Sequence, residues 1–189
     1  MLKFGWGEEK FVFTKPISLA GQFAERISEY EEKPLTVTAL AIADGNEQTV
    51  ICSVDLASLS YPFLEIIREA LKKENIEGLD IDKIVIGAIH THTGPVYKGR
   101  ASRRATMLGI KSGRQIIEAE LPAGRKYVEK APVSQNTDIT TPEEAADEIV
   151  AKVVKAIKTA WLNCKAGSYS TAFGRAVVGL CRRATYNDG

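Results

Sequence analysis

Only two histidines occur in this 189-residue sequence, and they stand two positions apart, as His90 and His92. Neutral imidazole is a good ligand for zinc and other borderline divalent metals. The pair lies in the stretch KIVIGAIHTHTGPVY, from Lys83 to Tyr97. Ile84 to Ile89 is apolar, rich in β-branched residues and interrupted only by Gly87, which predicts a strand buried on both faces. Gly94-Pro95 stops it. Alternation along a strand would put both imidazoles on one side and Thr91 on the other. In open α/β sheets, ligands bind beyond the carboxyl ends of strands, where His90 and His92 would fall. The chemistry expected is divalent-metal binding, zinc first. The plainer alternative is a pair of histidines that only cap a strand by hydrogen bonding. A catalytic zinc site takes three protein ligands and a water, so two histidines are not enough. Water, Asp55 or a second chain could meet the deficit.

Several elements must position this pair. Leu35 to Ala43 and Thr49 to Val54 read as strands joined through Asp44-Gly45-Asn46-Glu47, where Asp-Gly signals a hairpin. Asp55 ends the second strand. Ser60 is placed as the N-cap of a helix with Pro62 in its first turn, and Leu64, Ile67 and Leu71 keep helical spacing. Strand, helix and strand with a crossover of this length imply a parallel pair, which brings Asp55 and His90 to one sheet edge. There Asp55 could accept the second N–H of a metal-bound histidine, or simply cap the following turn.

Upstream, Leu2 to Thr14 reads as a strand, or a hairpin turned at Gly5 to Glu9. Pro16 to Pro34 reads as irregular, with a helical turn near Phe23 to Ile27. Arg26 falls among Glu25, Glu29, Glu31 and Glu32, a solvated charge cluster on its residues alone. Downstream, Val96 to Thr140 is the least regular part. Its Lys98, Arg100, Arg103, Arg104, Lys111 and Arg114 come without an acidic residue between them, a cluster suited to phosphate or anionic lipid, or else a solvated loop. Gln115 to Leu121 reads as a short helix or strand. The clearest helix is Thr141 to Lys165, with Thr141 as N-cap, Pro142 at the first position and Glu144 completing a capping box. Ile149, Val150, Val153, Val154, Ile157 and Trp161 form its apolar face, Lys152, Lys155 and Lys158 lie opposite, and Gly167 is read as its end. Ser168 to Val178 reads as a strand, with Gly174 as a bulge. The class expected is α/β, a mixed β-sheet with flanking helices, with residues 1–189 as a single domain.

Hydrophobic content of 44% with 26% charged is ordinary globular composition. A formal net charge of +1 supplies no global attraction to nucleic acid or acidic membranes. The basic cluster also lacks interleaved aromatics, so no nucleic-acid partner is expected. No apolar run approaches the roughly 20 residues that span a bilayer, and MLKFGWGEEK lacks the apolar core of a signal peptide. Cys52, Cys164 and Cys181 form an odd, widely spaced set without paired-cysteine zinc spacing. Reduced thiols and a cytoplasmic location are the expectation. A homo-oligomer stays open.

HTHTGP, His90 to Pro95, resembles the HTHSGP signature of the neutral/alkaline (non-lysosomal) ceramidases and their shorter bacterial relatives. Leu19-Ala20-Gly21-Gln22-Phe23-Ala24 with Arg26 is similar to that family's early AGYA-type segment and the arginine after it. Thr49 to Val54 running into Asp55 resembles its V-x-x-D strand end, and Cys181-Arg182-Arg183 its Asn-Arg-Ser or Asn-Arg-Arg segment. The similarity is collinear over nearly all of the chain. It implies part of a ceramidase-like catalytic domain and zinc-dependent hydrolysis of the amide of ceramide, a small-molecule, lipid-like N-acyl substrate.

On that resemblance His90 matches the zinc ligand, and His92 a histidine at the site that assists catalysis and is counted here with the metal residues. Arg182 matches an active-site arginine that binds substrate or transition-state oxygens and is counted with His92 as catalytic, while Asp55, Arg26 and Gly94 fall in segments around the pocket. Cys181 stands where the family has asparagine, and Arg183 where characterised ceramidases have serine. Family members continue beyond the position of Gly189, where a further histidine completes the zinc site and a glutamate, a tyrosine and a nucleophilic serine follow. The resemblance therefore implies the amino-terminal portion of a larger catalytic domain. The contrasting expectation is a non-catalytic fragment or assembly protein that lacks a complete metal site.

Overall fold

The structure, a computed structural model, describes residues 1–21, 25–45, 47–97, 109, 122–123 and 137–179. Five strands, β1 (Leu2–Lys10), β2 (Thr36–Asp44), β3 (Glu47–Val54), β4 (Ile84–Ala88) and β5 (Lys165–Ala166), form one sheet in the order β4-β3-β2-β1-β5. β2 and β3 are the hairpin expected from Asp44-Gly45, with Asp44 opposite Glu47. Gly45 turns the chain at φ +59°, where a side chain would be strained. From β3 the chain crosses through α1 (Tyr61–Glu74) and a single 3₁₀ turn (Ile81–Lys83) to β4. β4 pairs parallel to β3, with Val54 opposite Ala88. The other pairings are antiparallel, so the sheet is mixed as expected.

α2 (Pro142–Leu162) opens with the capping box read from the sequence. The Thr141 hydroxyl accepts from the Glu144 N–H, and the Glu144 carboxylate accepts from the Thr141 N–H at 2.7 Å. Ser60 holds the N-cap position of α1, but its side chain makes no capping bond.

Val37, Ala39 and Ala41 of β2 and Val50, Cys52 and Val54 of β3 alternate along their strands and so share one face. They form a single buried cluster with Phe63, Ile67 and Leu71 of α1 and Ile149, Val153 and Ile157 of α2. Both helices therefore cover the same face of the sheet. α2 lies unusually close to β1. A Cβ at Gly5 would run into the Ala160 carbonyl oxygen, and one at Gly7 into that of Ala156. Charge pairing follows the same contact: Lys155 and Lys152 of α2 reach Glu9 of β1 at 2.8 and 3.6 Å. None of the described helices is long and apolar enough to cross a membrane.

Several expectations are corrected. Leu2–Lys10 is one uninterrupted strand, because its glycines serve helix approach rather than a turn. β4 is not buried on both faces. It is the edge of the described sheet, with Ile84 buried but Val85 60% exposed, because the described helices lie on one side. α2 ends at Leu162 with Asn163 as C-cap, and Gly167 instead donates its N–H to the Leu2 carbonyl. Ser168–Val178 forms no strand. Antiparallel pairing of Lys165–Ala166 with Phe4–Lys3 carries the following residues past the start of β1, where none of the described strands is in reach for pairing. The helical turn near Phe23 to Ile27 falls partly on residues 22–24, outside the described residues, and Ile27 itself bridges Ser18. The basic residues Lys98 to Arg114 and the segment Gln115 to Leu121 also lie outside them.

Candidate metal centre

Beyond Ala88 the Ile89 N–H still bonds to the Val54 carbonyl at 3.1 Å. His90 then adopts φ +68°, a left-handed conformation few non-glycine residues take. Its N–H donates to the Leu56 carbonyl at 3.0 Å, and its Nδ1 lies 2.6 Å from the Ala57 carbonyl oxygen. A carbonyl only accepts, so Nδ1 carries a proton, and in the neutral ring the lone pair is then on Nε2. This is the tautomer of a metal-ligating histidine whose second nitrogen is held by the backbone.

Strand alternation is not what brings the imidazoles together, because the strand has ended and His90 turns the backbone. They converge all the same. Their ring centroids are 5.0 Å apart with planes at 89°. His92 packs against Gly21, where an added Cβ would sit 2.8 Å from its Nδ1. Gly21 has φ +78° and so is restricted to glycine on two counts. The loop that carries both rings is tied to the segment before Gly21: the Ala20 N–H donates to the Gly94 carbonyl at 2.8 Å, and the Val96 N–H to the Ser18 carbonyl at 2.9 Å. Gly94 presses the loop onto the end of β3, where a Cβ would stand 3.0 Å from the Asp55 carbonyl oxygen. Its visible role is this close approach.

Asp55 shares the sheet edge with His90, as parallel pairing requires. Its carboxylate turns the other way. One oxygen accepts from the Thr36 N–H at 2.8 Å and from the Thr36 hydroxyl at 2.9 Å, fastening the end of β3 to the start of β2. The task of fixing a histidine ring falls to the Ala57 carbonyl, which no side-chain pattern announces. Tyr97 is another residue the sequence reading passed over. It stacks on Phe63 with centroids 4.3 Å apart and donates its hydroxyl to the Ser58 carbonyl at 2.6 Å, anchoring the far end of the histidine loop. Burial raises its pKa above the ordinary tyrosine value.

Arg26 follows the Gly21 segment. Its carbonyl accepts from the Leu19 N–H at 2.8 Å, and its exposed side chain lines a cleft of about 930 Å³. Phe11, Ile17, Leu19 and Leu35 contribute apolar walls to that cleft, and Thr93 of the histidine loop lines it as well. Arg182 lies outside the described residues. Among the described residues, no three His, Cys, Asp or Glu side chains are grouped to hold a metal.

No family model matches the chain, and no curated protein does. Solved structures match it. Neutral ceramidase from Pseudomonas aeruginosa aligns at 17% identity with a TM-score of 0.57, covering 87% of this chain and 22% of that one. The structure of a ceramidase complexed with C2 aligns at 16% identity with a TM-score of 0.53 over the same shares. The chain thus spans about a fifth of the length of the ceramidases it matches. At such identities the likeness is one of fold, and the mixed α/β sheet with its histidine-bearing edge has the fold of one part of neutral ceramidase.

Proposed function

We propose that this chain is the amino-terminal portion of the catalytic domain of a zinc-dependent hydrolase that cleaves the amide bond of an N-acyl, ceramide-like substrate. His90 and His92 would be metal ligands. The observation that carries this reading is the convergence of the two imidazoles at the sheet edge, with the His90 Nδ1 proton held by Ala57 and Nε2 left to bind. Fold likeness to the neutral ceramidases supports it. The donor set suits zinc as far as it goes, and the remaining ligands must come from outside the described residues.

Zinc, when bound, would polarise the scissile carbonyl and lower the pKa of a bound water toward about 7. The chain's own part is positioning. Ala57 sets the His90 tautomer, while Gly21 and Gly94 let His92 and its loop close on the sheet. The apolar walls of the neighbouring cleft suit an acyl chain, and Arg26 on its rim suits a polar head. Arg182 is assigned to substrate binding, a role that suits a planar guanidinium.

The test is elemental analysis of the purified chain beside His90→Ala, followed by an amidase screen with N-acyl lipids. Near-stoichiometric zinc that falls away in the variant is the expected result. Equal zinc in both would remove His90 from the site. Zinc in neither would make this chain a non-catalytic fragment by itself.

A further inference from the structure

His90 owes its left-handed backbone to a short stretch of main chain just after β3. At Asp55 the chain turns, with the Leu56 N–H bonded back to the Val54 carbonyl at 2.8 Å. The next three carbonyls all accept from the histidine loop. Leu56 takes the His90 N–H at 3.0 Å, Ala57 the His90 Nδ1–H at 2.6 Å and Ser58 the Tyr97 hydroxyl at 2.6 Å. Side chains fasten both ends of this stretch. Asp55 bonds Thr36 through its own N–H to the Thr36 carbonyl at 3.0 Å, and through one carboxylate oxygen to the Thr36 N–H and hydroxyl. Tyr97 is buried with its ring fixed against Phe63 of α1, so its hydroxyl has a set position. A non-glycine residue at φ +68° persists only where its surroundings over-determine it, and such residues gather at functional sites.

We propose that Tyr97 and Asp55 are positioning residues for His90, acting through the main chain between Asp55 and Ser58. Together they hold the Ala57 carbonyl on Nδ1 and so leave the lone pair on Nε2, the nitrogen that would meet a metal. This deepens the zinc-hydrolase reading of His90 and rests on it. Without the Tyr97 hydroxyl, the Ser58 carbonyl turns to water, because Ser58 is exposed, and the adjoining Ala57 carbonyl is no longer held in place. Without the Asp55 carboxylate, the other end of the stretch slackens from β2 with the same result. An imidazole whose Nδ1 is released can carry its proton on Nε2 instead, which closes that nitrogen to a metal. Second partners of this kind are worth about 10-fold to 100-fold in metal affinity.

Proton–nitrogen correlation NMR of the metal-free 189-residue chain reads the tautomer directly, and only two histidines need assignment. The spectra are taken at about pH 8, where imidazole is ordinarily neutral. The expected result is a His90 ring protonated on Nδ1 in the parent. A populated Nε2–H form should appear in Tyr97→Phe, which keeps the ring that stacks on Phe63, and in Asp55→Ala. Asp55→Asn retains an acceptor for Thr36 and should restore the parent spectrum. Gly5→Ala, which crowds the end of α2 against β1, is the control for stability lost elsewhere and should leave the tautomer alone. Zinc affinity should fall by about 10-fold in Tyr97→Phe and Asp55→Ala. Circular dichroism checks that each variant is folded. An unchanged His90 tautomer in folded Tyr97→Phe and Asp55→Ala overturns the proposal, and so does an equal shift in Gly5→Ala. The expected tautomer pattern in a chain that binds no zinc upholds the positioning role and sinks the metal reading alone.

Discussion

Alanine at Gly5 is the sharpest test of how α2 sits on the sheet. Its methyl group would land on the Ala160 carbonyl oxygen, 2.8 Å from the Cys164 nitrogen and 3.0 Å from the Ala160 carbonyl carbon. All three are backbone atoms at the end of α2, and none can swing aside as a side chain does. Either the last turn of the helix unwinds or the whole helix moves outward, loosening Ala156, Ile157 and Ala160, which have no exposure in the native packing. Overpacking that side chains can absorb costs about 1–3 kcal/mol, so backbone against backbone belongs at the upper end, about 3 kcal/mol. Alanine recovers ~0.5–1 kcal/mol of conformational preference in a strand interior. A net loss of about 2 kcal/mol remains. In urea denaturation followed by far-UV circular dichroism, that is a midpoint lower by roughly 1 M at an unchanged slope of about 2 kcal/mol per molar. Gly87→Ala is the internal control. Nothing lies within 4 Å of its added Cβ and its φ is not positive, so only the strand preference acts and the variant should be slightly more stable. Equal midpoints for Gly5→Ala and the parent would refute the close approach of helix and strand.

Two further predictions concern groups away from the histidines. Burial pushes the Cys52 thiol from 9.0 up to about 12, so the folded chain keeps this proton where the unfolded chain loses it. Stability should therefore fall as pH rises above 9.0, by at most about 1.4 kcal/mol per pH unit, and Cys52→Ala should flatten that slope. Thr141→Ala removes one half of the capping box and should cost about 1 kcal/mol in thermal or urea unfolding at neutral pH. Bonds from the Thr141 N–H and hydroxyl hold the Glu144 carboxyl below its ordinary value, so its contribution is present above that value and disappears as acid protonates it. The penalty of Thr141→Ala should accordingly shrink on acidification.

Where the sequence was legible, the cause was local. Asp44-Gly45 specified the hairpin because φ > 0 is needed there, and Thr141-Pro142-Glu144 specified the start of α2 through bonds within four residues. The β3–α1–β4 crossover followed from lengths and composition, and parallel pairing put Asp55 and His90 at one edge as expected. Readings failed where a distant partner decides. Gly5 resembles a turn signal until Ala160 is brought against it. Val85 resembles a core residue until the described helices are seen to pack on the other side of the sheet. Ser168–Val178 has strand-forming residues, but its register leaves none of the described strands in reach for pairing. At the candidate site the two imidazoles were legible as a pair, and the groups that hold them in place were not. The Ala57 carbonyl and the left-handed backbone of His90 carry no residue-type signature, and Asp55, read either as a support for a histidine or as a turn cap, instead bonds Thr36.

The glycine seam between β1 and α2 also constrains the order in which the molecule can be finished during synthesis. β1 leaves the ribosome first, and β2 and β3 soon afterwards provide it with a hairpin to pair with. What those strands hide against is made much later, because α2 does not begin until Pro142. Until then Gly5 and Gly7 of β1 and Ala39 and Ala41 of β2 offer little more than backbone and methyl groups to the space that α2 will fill. A nascent chain paused before Pro142 would therefore carry a strand ladder whose inner face is covered only where α1 packs, a state in which strands can pair with the wrong neighbour. Chaperone occupancy on ribosome-bound chains should be greatest in that interval and should fall once α2 has closed over Gly5 and Gly7.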